Sequence, residues 1–249
     1  MTKKPYGALI IHGFTASLDC VRDIEPPIKS LGLPTRMPVL RGHGAESPEA
    51  LRGVTWHDWM FDAESALKDL LTEGEKAILI GHSLGGLLTI LLAAEHGDQI
   101  DSIVLAATAI QLRTPLGPGR PLSFLAPLIG LVFKKWDFAP AYADPSLAVY
   151  NSNYRWAPTD AILSLFDLSR VARSHLADVK TPTLILQSHN DLSVAPASAN
   201  IIDHGISTPD AQKRIAWFEK SGHEMFRDCE REATVDIIAE YVRERIGAA

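Results

Sequence analysis

Cysteine is scarce in this chain. Only Cys20 and Cys229 occur among 249 residues, and they stand at no spacing that metal ligands use. A disulfide scaffold therefore has no material, and the pair reads as two free thiols of the kind a reducing cytoplasm keeps. Clusters of positive charge are missing as well. Twenty-four Lys and Arg stand against 30 Asp and Glu, a formal net charge of −6, which argues against a nucleic-acid or anionic-membrane partner. No apolar run reaches the roughly 20 residues that a membrane span requires. The one segment open to that reading, Pro121 to Phe133 (PLSFLAPLIGLVF), carries Pro127 and Gly130 inside and is taken as part of a soluble protein. Repeats and low-complexity tracts are absent, and Met1 to Tyr6 leads into a strand without room for a signal peptide.

What is present is the composition of an ordinary globular protein, 46% hydrophobic and 22% charged, in a length that suits one large α/β domain or two small ones. Short apolar runs of strand type fall at Gly7–Ile11, Thr35–Val39, Lys76–Ile80, Ser102–Ala106, Thr183–Gln187 and Arg214–Phe218. Helical stretches alternate with them, around Val21–Leu31, Trp56–Leu71, Leu84–His96, Asp160–Val179 and Glu232–Ile246. In the second of these, Trp59, Met60, Ala63, Ala66, Leu67 and Leu70 form one helical stripe. The alternation predicts an α/β fold with right-handed crossovers and a mostly parallel sheet covered on both sides. Functional groups on such sheets gather at the carboxyl ends of the strands.

Gly81-His82-Ser83-Leu84-Gly85 stands between a buried strand, Lys76–Ile80, and a long apolar stretch suited to a buried helix, Leu84–His96. A serine on that turn is held in a cramped conformation with its hydroxyl projecting from the sheet edge. Its glycine neighbours are needed because side chains there would strike the adjoining strand and helix. A serine hydroxyl is a poor nucleophile until a base takes its proton, and histidine suits that task near neutral pH. Of nine histidines, His223 follows the last strand by a short loop and so reaches the strand end where Ser83 also lies. His57, His96, His175 and His204 sit on or beside helices and read as surface or capping residues, and His189 as a loop residue. The base needs a carboxylate to fix its tautomer. Asp191, in the loop after the Thr183–Gln187 strand, supplies it, because the loop after the preceding strand holds no acid before Asp137.

An oxyanion needs aimed donors, and backbone N–H groups provide them without reorganisation. His12-Gly13-Phe14-Thr15 follows the first strand and offers the N–H of Phe14. Leu84 offers a second at the start of the helix after the nucleophile. Arg41-Gly42-His43-Gly44 lacks the spacing of a phosphate cradle and reads as a rigid turn at the pocket rim, with no chemistry. The interval from about Ala109 to Thr159 is too long for a crossover and rich in Pro, Leu, Phe, Trp and Tyr. It reads as a lid over the strand ends, or else as a packed structural excursion. Leu122, Phe124, Leu125, Leu128, Ile129 and Trp136 within it are read as lining an acyl pocket, packing against the main domain being the equal alternative.

Ser83, Asp191 and His223 follow one another in the chain order of α/β-hydrolases. From His12-Gly13-Phe14-Thr15 through Gly81-His82-Ser83-Leu84-Gly85-Gly86 to Ser221-Gly222-His223, the chain resembles small bacterial carboxylesterases related to monoacylglycerol lipases. The resemblance implies one α/β-hydrolase domain over residues 1–249 with a lid insertion at about 109–159. It also implies hydrolysis of short- to medium-chain acyl esters or monoacylglycerols, with no metal or cofactor. Ser83 argues against the related dehalogenases and epoxide hydrolases, which use an aspartate nucleophile. The expected partner is a small acyl ester; oligomeric state is open. A thioesterase or carbon–carbon bond hydrolase on the same scaffold remains the rival enzyme, and a ligand-binding homologue the rival of another class.

Overall fold

The computed structural model describes residues 3–139, 141–150 and 152–247, with Val149 and Tyr150 as backbone alone. Met1 and Thr2, read above as leading into the first strand, lie outside the described residues, as do Pro140 and Asn151 of the expected insertion. In chain order the regular elements are β1 (Lys4–Ile11), α1 (Glu25–Ser30), β2 (Thr35–Arg36), α2 (Trp56–Glu73), β3 (Gly74–His82), α3 (Leu84–His96) and β4 (Ile100–Ala106). There follow α4 (Ala126–Val132), β5 (Lys135–Asp137), β6 (Trp156–Pro158), α5 (Thr159–Ser174), β7 (Thr183–Ser188), α6 (Ala197–Gly205), β8 (Lys213–Phe218) and α7 (Arg231–Ile246).

Six strands form one sheet in the order β2-β1-β3-β4-β7-β8, and every pairing in it is parallel. Successive residues of β1 explain why it reads as an unbroken apolar run. Leu9 and Ile11 face a core shared with α2, α3 and α5, while Ala8 and Ile10 face a second core with α1 and α7. A strand covered on both faces has no polar positions to alternate. Helix α3 is buried from Leu84 to Ala93, because the sheet covers one side and α2 and α5 cover others. That is why its sequence shows no polar stripe. Among the described residues no helix is long and apolar enough to cross a membrane.

Three expected elements differ, each for a local reason. Strand β2 ends at Arg36 rather than Val39. Pro38 has no N–H for a ladder, and the Leu40 N–H is drawn off to His12 Nε2 at 3.0 Å. The helix expected from Val21 begins as a 3-10 turn at Arg22–Ile24, and α1 follows with Pro26 and Pro27 in its first turn, where a missing N–H costs nothing. The long helix before β7 stops at Ser174, and a 3-10 turn at Leu176–Asp178 completes the stretch.

The excursion between β4 and β7 contains α4, the antiparallel hairpin β5–β6 and α5. Tyr154 anchors it to the sheet's carboxyl end: its N–H donates to Thr15 O (2.8 Å), and its hydroxyl bridges Gly42 O (3.1 Å) and the Ala45 N–H (2.8 Å). Arg41, in the same turn, pairs with Asp58 and Asp62 of α2. Trp59 is fully buried beneath, its Nε1–H donating to Arg41 O at 3.0 Å and its ring edge-to-face with Phe14 and His43. Trp59→Ala is expected to lower unfolding free energy by about 3–5 kcal/mol. Urea unfolding should show an earlier midpoint at unchanged slope; a loss below about 1 kcal/mol would remove this ring from the core's supports.

Candidate active site

Strand β3 ends at His82 and α3 begins at Leu84, so Ser83 alone makes the reversal, at φ 55° and ψ −110°. A non-glycine residue in that region costs on the order of 1–3 kcal/mol, and surrounding structure must impose it. Here the Ser83 N–H donates to Ala106 O at 2.9 Å, and its carbonyl accepts from the N–H groups of Gly86 and Ala109. Packing leaves no slack. A Cβ on Gly85 would lie 2.2 Å from Ile11 O, and one on Gly81 2.4 Å from Gly85 O.

His223, after β8, and Asp191, after β7, meet Ser83 at the carboxyl edge. His223 Nδ1 is 2.8 Å from Asp191 Oδ2, and its Nε2 is 3.0 Å from Ser83 Oγ. An ionised carboxylate only accepts, so Nδ1 carries the proton and Nε2 is free to accept from the serine hydroxyl. Asp191 is fully buried, and its Oδ1 accepts from the N–H groups of Ser193 and Val194, each at 2.8 Å. Arg113 Nε donates to the Asp191 carbonyl. The histidine loop has its own supports, which spacing did not reveal. Asp228 accepts from the N–H groups of Gly222 (2.7 Å) and Ala143 (2.6 Å), and Glu230 from those of Lys220 and Ser221. The His223 N–H donates to Ala141 O at 2.8 Å.

Burial alone would lower the His223 pKa, but the charge and hydrogen bond of Asp191, with Glu224 adding, hold it above the ordinary 6.5. Burial pushes the Asp191 carboxyl up, yet the facing His223 and the two backbone donors hold it below the usual range. Such a pair can accept a hydroxyl proton on the imidazole and stabilise the cation against a buried carboxylate. The other buried histidines differ: burial lowers His12 to about 4, and His43 and His82 to about 3. His12 is structural, its Nδ1–H donating to Gly13 O while Nε2 accepts from Leu40. This fixes the turn that carries Phe14. That turn lies close against the serine, since a Cβ on Gly13 would be 3.3 Å from Ser83 Cβ. Leu84 opens α3, where first-turn N–H groups have no intrahelical acceptor.

Ser83 and His223 open into a cavity of about 430 Å³. Its wall includes Phe14, Trp136, Phe138, Leu165, Phe166 and Val194. Trp136, expected in the wall, is there, edge-to-face with Phe166. Leu122, Phe124, Leu125, Leu128 and Ile129 are not among the lining residues. Helix α4 packs on α5 with Leu128 58% exposed, and Phe124, in the 3-10 turn Ser123–Leu125 before it, is 69% exposed, while the β5–β6 hairpin and residues 153–155 contribute to the wall instead. Asn153 and Glu224 also line it and were missed by sequence reasoning. The only signal for Glu224 was its place directly after His223.

In an NMR titration the His223 imidazole is expected to have its midpoint above 6.5. Asp191→Asn removes the main group that raises it and leaves Glu224 alone against desolvation, so the midpoint should fall. A midpoint unmoved by that substitution would contradict the coupling.

A family model described as serine aminopeptidase, S33, matches residues 7–230. The chain is 28% identical over 246 residues to a thermostable monoacylglycerol lipase of Bacillus sp. (strain H-257), covering 98% of this chain and 92% of that relative. It is 25% identical over 251 residues to a carboxylesterase of Bacillus subtilis (strain 168), covering 97% of each. Among solved structures, one reported under the metagenome-derived lipolytic enzymes LipS and LipT superposes with a TM-score of 0.85 at 25% identity, over 98% of this chain and 95% of the other. With the match running from β1 past the His223 loop, the chain belongs to the S33 serine aminopeptidase family and has the α/β-hydrolase fold.

Proposed function

We propose that this protein is a carboxylesterase of the monoacylglycerol-lipase type, a serine hydrolase that cleaves short- to medium-chain acyl esters through an acyl-enzyme. The observation that carries the reading is the two-bond chain from Ser83 Oγ through His223 to buried Asp191, opening onto the apolar-walled cavity. The names of the two Bacillus relatives, monoacylglycerol lipase and carboxylesterase, support the ester class. A cavity of about 430 Å³ suits a small acyl ester.

Ser83 Oγ attacks the ester carbonyl as its proton passes to His223 Nε2. The carbonyl electron pair becomes an oxyanion, held by the N–H groups of Phe14 and Leu84, with the dipole of α3 favouring the charge. Collapse expels the alcohol, protonated by His223, and leaves the acyl group on Ser83. A water deprotonated by His223 then attacks the acyl carbon, and a second collapse releases the acid as His223 returns the proton to Ser83 Oγ. Asp191 stays ionised throughout. Residues 109–159 act as a lid within a single domain over 1–249, with Trp136 and its neighbours in the wall against the acyl chain. Cys20 and Cys229 as free thiols support a cytoplasmic location.

Ser83→Ala and His223→Ala are each expected to lower kcat on p-nitrophenyl esters on the order of 10⁶-fold, and Asp191→Asn by somewhat less. A tenth of normal turnover surviving Ser83→Ala would reject the mechanism. Acyl thioesters and vinylogous diketones run alongside separate the rival hydrolases, and failure of fluorophosphonate to label Ser83 would favour a non-catalytic homologue. Trp136→Ala should shift the preferred acyl length, whereas Phe124→Ala should not. Identical chain-length profiles for Trp136→Ala and its parent would remove Trp136 from the acyl wall.

A further inference from the structure

Three side chains that the proposed reaction does not use converge beneath it. His82 ends β3 beside Ser83, Glu224 follows His223, and Cys20 ends a 3-10 turn, Leu18–Cys20, after the Phe14 loop. Their exposures are 2%, 6% and 4%. One thiol, one ring nitrogen and one carboxylate oxygen from the three lie within 4.8 Å of one another. The ring is oriented by His82 Nε2–H donating to the His223 carbonyl at 3.0 Å. That leaves Nδ1 with a lone pair, and Nδ1 is buried without a hydrogen-bond partner among the described residues. A buried acceptor with nothing to accept is costly and calls for a reason.

We propose that Cys20 Sγ, His82 Nδ1 and the Glu224 carboxylate form a binding site for one divalent transition-metal cation of the zinc type. Thiolate, imidazole and carboxylate are the donors zinc takes, and three protein ligands leave a fourth position for water. A thiolate and a carboxylate together offset the charge of a dication, the thiol proton being released to solvent on binding. The surroundings match those of metal-bound histidines, whose other N–H characteristically donates to a carbonyl or carboxylate. Glu224 is steadied in turn by Asn153 Nδ2–H, 2.7 Å from Oε1. Glu224 and Asn153 also line the cavity, so the carboxylate of the site borders it. Ligand atoms around tetrahedral zinc lie about 3.5 Å apart, so the three side chains draw inward on loading.

The test uses the full chain, without an affinity tag, carrying Cys229→Ser so that Cys20 is the sole thiol. Titration with Co²⁺ and with Zn²⁺ should show one equivalent of either ion taken up at sub-millimolar concentration. The cobalt form should show a thiolate-to-cobalt charge-transfer band in the near ultraviolet. Cys20→Ser should abolish the band, and Glu224→Gln should weaken uptake about tenfold or more. No uptake, uptake without the band, or a band that survives Cys20→Ser would overturn the proposal. If Cys20→Ser fails to fold, the band in the Cys229→Ser protein decides. None of these readouts needs turnover, so the failure of this site and the failure of the esterase reading are separately visible.

Discussion

The close approach of α3 to the end of β1 is the constraint on which the rest of this structure depends. Gly85 sits so near Ile11 O that no side chain fits between them, and that contact forces the chain to reverse over a single residue. Ser83 is that residue, and its left-handed backbone is tolerable because β4 supplies an acceptor at Ala106 and the following turn supplies donors. Strain of this size would relax by local rearrangement if the neighbours could move. They cannot, because β1, β3 and β4 are buried on both faces and α3 is enclosed between sheet and helices. The serine backbone is thus placed by packing, and the hydroxyl's bond to His223 Nε2 completes its aim.

The two other members of the hydrogen-bonded chain are aimed differently, by charge. Asp191 and His223 come from loops, which have no packing register to hold them, and each is fixed by backbone N–H groups closing on a carboxylate. Asp191 does this for its own turn through Ser193 and Val194, and Asp228 and Glu230 do it for the loop of His223. Asp228 also takes the Ala143 N–H, so the segment that walls the cavity and the loop that carries the imidazole share one anchor. The Ala141 carbonyl adds a second link. Cavity shape and ring orientation are therefore coupled through Asp228 and through Ala141, which itself lines the cavity.

Most of the scaffold was legible because its signals are local. Apolar runs marked the six parallel strands, and the stripe from Trp59 to Leu70 marked α2. The placement of Ser83 between a buried strand and a buried helix, with the order Ser83, Asp191, His223, was enough to bring those three to one edge. Misreadings arose where a non-local partner outweighed a local pattern. β2 ends early because Leu40 donates to His12 rather than to a neighbouring strand. For the segment from Leu122 to Ile129 the apolar pattern leaves pocket wall and packing against the main domain as equal readings; α4 packs on α5 with Leu128 exposed, and hydrophobicity alone does not say which surface a side chain covers.

The amino-acid sequence by itself determined the layered α/β scaffold, the strained serine turn and the edge at which serine, imidazole and carboxylate gather, because periodicity, glycine requirements and chain order act over short stretches. Only the tertiary structure decided which rings wall the cavity, why His223 is raised while His12, His43 and His82 are lowered, and that Cys20 meets His82 and Glu224. Two cysteines at no metal-ligand spacing concealed that last grouping. Burial, field and side-chain contact are set by residues far apart in the chain, and no spacing along it records them.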